Sequence, residues 1–218
     1  MSLAGSDAFG VTSLPIDDID NGTSILLTGE DTDALKTVFA RLVAAEEGER
    51  SIVLATNSEG RLVQRALNQA NAGAGSRASV LACEGPDDDE TIKRVDDLSD
   101  LTSLGMEFSS LVATSQQSTT RFRSGIFFCS TICQAVEDTR TVYRFLNTNF
   151  LTELRRGDGI GVCALDTSAD VGADVDSMIA GMETSFTGRI HVEKTGANQG
   201  MLEVTGLSAT DETIETAL

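Results

Sequence analysis

A glycine that ends an apolar run, followed seven residues later by a lysine and a threonine, is the first feature of this sequence that could perform chemistry. The run 24–28 ends at Gly29, and Lys36-Thr37 open a helical apolar pattern. In a phosphate-binding loop, glycines let backbone N–H groups turn toward the phosphates, the lysine neutralises the oxygens and the hydroxyl holds magnesium. Gly29, Lys36 and Thr37 are therefore candidate nucleotide-binding residues. The alternative is an ordinary capped helix after a strand.

Three departures from the motif weaken the phosphate interpretation. Leu35 stands where the second glycine belongs. The segment is also one residue too long, which would turn Lys36 by about 100° if the extra residue lies in the helix. Finally, the loop carries Glu30, Asp31 and Asp33, and like charges about 5 Å apart repel by roughly 3 kcal/mol at an effective dielectric constant of ~20. These carboxylates oppose the binding of a triphosphate.

The loop also offers a carboxylate of its own to the helix. Asp33 is a good N-cap for a helix that begins at Ala34, and a capping carboxylate occupies the N–H groups that a phosphate would use. We therefore expect Asp31 or Asp33 to fill the anion site at the amino end of this helix. A nucleotide or sulfate bound there would contradict this expectation.

The composition is strongly acidic and poor in lysine. The 218 residues carry a net charge of −18, with 13 Arg and only 3 Lys among the basic residues. At molar salt the Debye length is about 3 Å, so the self-repulsion of such a chain is muted. The composition indicates an extreme halophile, the alternative being an acidic protein of a mesophile. It disfavours nonspecific binding to nucleic acid or anionic lipid.

Further features bear on the location of the protein and on metal sites. No apolar run approaches the ~20 residues of a membrane span, and nothing near Met1 resembles a signal peptide, so a cytoplasmic protein is expected. The four cysteines contain no CxxC pair. Buried structural thiols explain them better than a metal or redox site, and no metal site is assigned.

Strand-like and helix-like segments alternate along most of the chain. The strands are predicted at 25–28, 51–55, 79–83, 125–129 and 159–165, the helices at 33–45, 59–71, 98–113, 138–155 and 173–182, and a closing hairpin at 186–193 and 201–206. Nearly all-apolar strands predict an α/β fold: a mainly parallel sheet with helices on both faces and the antiparallel hairpin at its edge. The predicted division is an N-terminal extension (1–22), one α/β domain (23–207) and a polar C-terminal tail (208–218).

The order of these segments resembles the RecA/KaiC-like group of P-loop ATPases, especially their reduced single-domain haloarchaeal versions. The resemblance covers roughly residues 20–207 and rests on the segments 24–37, 51–57, 124–131, 138–146 and 159–165 and the final hairpin. It implies a RecA-like sheet and, in active members, ATP and magnesium as cofactors. It also implies oligomers in which arginines reach a neighbour's nucleotide. Arg121 and Arg123 are the candidates for such a trans contact, with a loop-surface role as the alternative.

The acidic residues that the resemblance requires are absent from this sequence. Cys129 stands at about the position of the acid that organises magnesium. The catalytic carboxylate would fall near Asn57, where the nearest acid is Glu59. His191 is the only histidine and has no Gly-x-Ser-x-Gly nearby. No catalytic residue is therefore assigned.

Two functional hypotheses follow from these residues. The first is a pseudo-ATPase, a non-hydrolysing binding or regulatory module that contacts itself or a signalling partner and needs no cofactor. The alternative is an ATP-binding protein with slow or partner-activated turnover, which would use Gly29, Lys36 and Thr37 in a distorted loop.

Overall fold

The computed structural model describes residues 8–86, 90–171, 174–208 and 211–218. Parts of the predicted N-terminal extension, helix 173–182 and C-terminal tail (1–7, 173, 209 and 210) lie outside the described residues. The elements are, in chain order, β1 (Ala8–Phe9), β2 (Ile19–Asp20), β3 (Ser24–Gly29), α1 (Thr32–Val43), β4 (Arg50–Glu59), α2 (Gly60–Ala70), β5 (Ala78–Glu84), β6 (Ile92–Arg94), α3 (Leu101–Ser115), β7 (Arg121–Phe127), α4 (Cys129–Ala135), α5 (Thr139–Phe145), α6 (Leu151–Arg156), β8 (Asp158–Asp166), α7 (Val175–Glu183), β9 (Gly188–Gly196), β10 (Gln199–Thr205) and β11 (Glu212–Ala217).

The apolar strands form one mixed sheet, in which the described part of the chain contributes nine strands in the order β11-β10-β9-β3-β8-β7-β4-β5-β6. The strands from β9 to β6 pair in parallel, and β10 and β11 continue the sheet as antiparallel neighbours. The predicted fold class is thereby confirmed. Strand β3 lies between β8 and β9, so its carboxyl end at Gly29 is central in the sheet.

Helices cover both faces of the parallel part of the sheet, which explains why strands such as β3 and β8 are apolar on both sides. Helices α1 and α2 pack on the face that contains Leu27 and Val53. Helices α3 to α7 pack on the opposite face, which contains Leu26 and Leu54. All six residues of β3 are buried. The loops at the carboxyl ends of the strands are thus held by a rigid two-sided core.

The helix predicted at 138–155 is interrupted. A π-helical turn, Leu146–Phe150, joins α5 to α6, while the apolar stripe of Val142, Phe145 and Leu154 stays buried as its spacing predicts. None of the described helices is long and apolar enough to cross a membrane.

The two ends of the described chain are more ordered than the sequence suggested. In the N-terminal extension, Phe9, Val11 and Leu14 are buried against the core. At the other end, β11 lies within the segment expected to be a polar tail and pairs with β10 over six residues. That strand was missed because its sequence, ETIETA, is mostly polar and shows no apolar run.

Candidate functional site

The candidate site lies at the carboxyl edge of β3, where a phosphate-binding loop would be. Strand β3 ends at Gly29 and α1 begins at Thr32, so only Glu30 and Asp31 connect them. The helix starts at Thr32, before the predicted start at residue 33, and Thr32 and Asp33 form part of its first turn. A connection this short leaves no loop to surround a phosphate.

Gly29 is required here by packing. A Cβ on this residue would lie 2.7 Å from the Val192 carbonyl oxygen of β9 and 3.3 Å from Cδ2 of Leu35. Its backbone is not in the left-handed conformation that five other glycines of the described chain adopt. The glycine therefore admits the neighbouring strand, and it does not turn backbone N–H groups around an anion.

Asp31 caps helix α1. Its Oδ1 accepts a hydrogen bond from the Ala34 N–H at 2.9 Å, and its carbonyl accepts one from the Leu35 N–H at 3.0 Å. On the other side, Lys194 Nζ donates to Asp31 Oδ2 at 2.9 Å. The Ala34 N–H and the Lys194 ammonium together lower the pKa of Asp31. The carboxylate thus lies at the amino end of the helix, between backbone donors and a lysine.

Asp33 is not the cap, which corrects its predicted role as the N-cap of a helix from Ala34. It lies in the first turn of α1 with its side chain 88% exposed, since the helix begins before it. Its backbone carbonyl accepts a hydrogen bond from Thr37 Oγ1 at 2.9 Å. The hydroxyl proposed to hold magnesium is therefore engaged within the helix.

Lys36 lies more than one turn into α1, away from the amino end of the helix. Its ammonium is 3.9 Å from Asp33 Oδ1, and its side chain borders a cavity between α1 and α2. Gly29, Lys36 and Thr37 are thus close in sequence, but the structure does not bring them together around one point. The amino end of the helix is occupied by Asp31.

The edge at the end of β7 is built from aromatic residues. Phe127 ends the strand and Phe128 follows it, their ring centroids 4.6 Å apart, and Phe127 also packs on Phe39 of α1 at 5.0 Å. Phe128 has a φ of 71°, in the left-handed region that is rare for a bulky residue. The Thr56 hydroxyl lies 2.7 Å from the Phe127 carbonyl oxygen and 2.8 Å from that of Phe128. Thr56 thereby fixes the strained backbone of Phe128.

Cys129, which the resemblance aligns with the magnesium-organising acid, is buried at the start of helix α4. The hydrogen bond with Cys133 lowers the pKa of Cys129, but the interaction with Cys163 and burial raise it well above the usual value. For Cys133, the hydrogen bond with Cys129 and burial both raise the pKa. Burial and the nearby Glu84 raise the pKa of the partly exposed Cys83 to about 12. These thiols therefore stay protonated at neutral pH and act as small apolar groups.

Asp166, at the end of β8, belongs to the same edge and was missed by sequence reasoning. Its Oδ2 accepts a hydrogen bond from Thr32 Oγ1 at 3.0 Å, and its Oδ1 accepts one from the Ser168 N–H at 2.9 Å. The signal available was an acid directly after the strand predicted at 159–165. Across the described ranges, no group of three or more His, Cys, Asp or Glu is arranged to hold a metal ion.

His191 and Arg189 of β9 converge on Thr28 of β3. His191 Nδ1 lies 3.1 Å from Thr28 Oγ1, and Arg189 Nε donates to the same oxygen at 3.1 Å. Arg189 also pairs with Glu183 at 3.0 Å. These polar groups fasten β9 to β3 on one side of the Asp31 cap.

Arg121 and Arg123 lie at the opposite, amino-terminal edge of the sheet, which contradicts their proposed trans contact. The Arg123 side chain is 1% exposed, and its Nε is 2.6 Å from Glu49 Oε2. Arg121 donates to the Ala8 carbonyl at 3.0 Å and lies 4.0 Å from the ring centroid of Phe9. Both arginines hold the N-terminal extension on the core. The loop-surface alternative is also wrong for Arg123, because the residue is buried.

Comparisons with known proteins agree with this fold. Residues 22–192 match the family described as "Family of unknown function (DUF7504)". A KaiC-like protein, PH0186, from the hyperthermophilic archaeon Pyrococcus horikoshii is similar with a TM-score of 0.58 and 12% identity over 90% of this chain and 86% of its own. An uncharacterised protein of the same organism, PH0321, solved in complex with an unknown peptide, is similar with a TM-score of 0.61 and 12% identity over 87% of this chain and 85% of its own. No curated protein matches the chain.

Proposed function

The chain belongs to DUF7504, a family of unknown function, and from that premise we propose that it is a non-hydrolysing RecA/KaiC-like module that acts by binding protein. Its solved neighbours have the KaiC-like fold at 12% identity, which concerns architecture alone. The partner is a second copy of the chain or a regulatory protein. The module works without ATP turnover, as a pseudo-ATPase.

The Asp31 cap is the observation that carries this proposal. Its carboxylate accepts the Ala34 N–H, a donor at the amino end of α1 of the kind that a phosphate would need. Lys194 completes the contact at 2.9 Å. A phosphate entering this position would have to displace Asp31 and then face the carboxylates of Glu30 and Asp31. The anion site is in this sense filled by the protein itself.

The remaining positions of an ATPase support the same conclusion. Cys129 is buried in α4 where the magnesium-organising acid would stand, and Asn57 has no carboxylate to activate water. Thr37 Oγ1 donates to the Asp33 carbonyl, and Lys36 lies more than one turn into α1, away from its amino end. Each of these losses removes a different part of phosphoryl-transfer chemistry.

We further propose that the module works in the cytoplasm of a halophile. The charge of −18 on 218 residues would repel a second acidic copy in dilute buffer. Molar salt shortens the Debye length to about 3 Å and removes most of that repulsion. Association of the protein is therefore expected to strengthen as KCl is raised.

Titration with ATP and magnesium in molar KCl tests the proposal, with the melting temperature as the readout. A ligand at 100 times its dissociation constant stabilises by about 2.7 kcal/mol, which raises Tm by roughly 5–10 °C for a chain of this size. We expect no rise at millimolar ATP. A rise that Lys36→Ala removes would instead establish the alternative, an ATP-binding protein with slow or partner-activated turnover.

Light scattering across a KCl series tests the protein-binding part. A molar mass that increases with KCl indicates self-association, and a constant monomer mass assigns the binding role to a different protein. In the second case, binding partners captured from a high-salt extract must remain bound after nucleotide is removed. Partners released by that treatment would contradict an ATP-independent module.

A further inference from the structure

A cavity of about 230 Å³ lies between α1 and α2, beside the ends of β4 and β7. Its walls are apolar: Phe39 and Ala40 come from α1, Val63 and Leu67 from α2, and Phe127 from β7. All five side chains belong to the core, since each of them is at most 6% exposed. The cavity is therefore set into a rigid part of the structure and does not depend on a loop.

The size of the cavity limits its occupant. An apolar cavity of about 150 Å³ is sufficient for benzene, and drug-sized ligands occupy roughly 300–1,000 Å³. The volume of 230 Å³ lies between these values. The ring of Phe39 stands 5.0 Å from that of Phe127 at 51°, which presents aromatic faces and edges to a ligand. A six-membered ring or a branched alkyl group fits this space.

The rim of the cavity carries a cation. Lys36 and Ser58 border the opening, next to Leu62, whose side chain is 46% exposed. The Lys36 ammonium lies 3.9 Å from Asp33 Oδ1, longer than the 2.7–3.2 Å of an N–H···O hydrogen bond. Its donors therefore remain available to an oxygen of a ligand. In a chain with 3 lysines and a net charge of −18, a lysine over an apolar cavity favours an anion locally.

We propose that this cavity binds a small monoanion with an apolar body about the size of a benzene ring, such as an aryl or branched alkyl carboxylate. The apolar body enters between Phe39, Val63 and Phe127, and the carboxylate accepts hydrogen bonds from Lys36 and Ser58. This inference goes beyond the proposed function, because it assigns Lys36 to a ligand that has no triphosphate and needs no magnesium.

The test is a calorimetric titration in molar KCl with phenylacetate and with 2-phenylethanol, its neutral counterpart. The wild-type protein should bind phenylacetate about 1.4- to fivefold more tightly than the alcohol, the range expected for one partly exposed charge contact. Lys36→Met should remove this preference and leave the affinity for the alcohol unchanged. Ala66→Phe, which fills the cavity from α2, should abolish the binding of both.

Gln69→Phe is the matched control, because Gln69 is an exposed residue of α2 that does not border the cavity. It should bind both probes like the wild type. Circular dichroism and Tm establish that each variant is folded, and Lys36→Met tests the charge even if Ala66→Phe does not fold. The inference is overturned if neither probe binds the wild type, if Ala66→Phe binds normally, or if Ala66→Phe abolishes binding of ATP, which would make the cavity a nucleotide site.

Discussion

The amino ends of the strands in the central sheet (the amino edge) and their carboxyl ends (the carboxyl edge) bury charged side chains to different degrees. At the amino edge, Arg123 is buried with Glu49 at 2.6 Å, and Arg121 lies 3.6 Å from both Glu49 and Asp158. At the carboxyl edge, Asp31 and Lys194 are each about one-third exposed. Buried charges without a partner are costly, so the amino edge must keep its pairs, whereas the carboxyl edge can exchange them with solvent.

This difference separates structural charges from those available for binding. The arginines that sequence reasoning assigned to a neighbouring molecule hold the chain's own N-terminal extension, through the Gly10 and Ala8 carbonyls. The lysine that it assigned to a phosphate borders an apolar cavity. The least accessible of these charges therefore stabilise the fold, and the accessible ones lie at the carboxyl ends of the strands, where open α/β sheets in general bind ligands.

Breaking the pair at the amino edge should have the largest effect. Glu49→Gln leaves the buried Arg123 with the more distant carboxylate of Glu46, at 4.0 Å, as its counter-charge and should destabilise the fold by up to about 3–5 kcal/mol. Urea denaturation at constant molar KCl measures this loss. The double variant Glu49→Leu with Arg123→Met should recover much of it, because it leaves no charge unpaired. A double variant as unstable as Glu49→Gln would contradict this account.

Gly29→Ala should have the next largest effect, because its Cβ would meet the Val192 backbone at 2.7 Å. Separating β9 from β3 to relieve this contact should cost about 1–3 kcal/mol. Gly196→Ala is the control on β9, where the nearest atom would be 3.5 Å away. Urea denaturation of both variants measures the difference. If Gly29→Ala is as stable as Gly196→Ala, the packing explanation of Gly29 fails.

Asp31 and Asp33 offer a comparison of two carboxylates two residues apart. Asp31→Ala should lower Tm by a few degrees, since it removes the cap of α1, while Asp33→Ala should leave Tm nearly unchanged. The pKa of Asp31 is lowered in the folded protein. Its ionised form therefore contributes stability above the ordinary Asp pKa of about 4. That contribution is lost as the pH falls through the lower folded pKa.

The pH dependence can be measured with Asp31→Asn, which keeps a capping oxygen but has no charge. The Tm difference between this variant and the wild type should be full at neutral pH and should shrink toward zero at acidic pH. A difference that is constant with pH would show that the charge of Asp31 does not contribute to the cap.

Lys36→Ala should have the smallest effect on stability. Its ammonium is 3.9 Å from Asp33 and the side chain is 44% exposed, so Tm should change by less than the equivalent of about 0.5 kcal/mol. Differential scanning calorimetry in molar KCl, with and without ATP and magnesium, gives the value. A large loss of stability would assign Lys36 a structural role. The charges at the carboxyl edge would then be structural like those at the amino edge.

The sequence predicted the core strands well, because segments such as β3 and β8 are apolar on both faces and have no competing pattern. It also predicted a carboxylate at the amino end of α1. Of the two candidates, Asp31 and Asp33, the structure places Asp31 at the cap, and Asp33 is not the N-cap because the helix begins at Thr32. The edge strand β11 was missed because a polar sequence gives no signal of its pairing partner.

The features of the site that the sequence did not predict depend on contacts between residues that are distant in the chain. The need for Gly29 is set by Val192, 163 residues later, and no local motif records that approach. Arg123 is buried in a strand and forms an ion pair there, although arginine side chains are in general exposed. Its partner Glu49 comes from a loop 74 residues earlier. Local patterns therefore predict which segments are strands, but they do not predict which side chains meet.

The position of β3 in the sheet also has a consequence for folding during synthesis on the ribosome. Its two neighbours are β8 and β9, and 129 residues separate Gly29 from Asp158. At a synthesis rate of about 5–20 residues per second, roughly 6–26 s pass between the completion of β3 and the start of β8, its first partner. During that time β4, β5 and β7 can pair with one another, but neither native partner of β3 is available. The strand order therefore makes the insertion of β3 a late step of folding during synthesis.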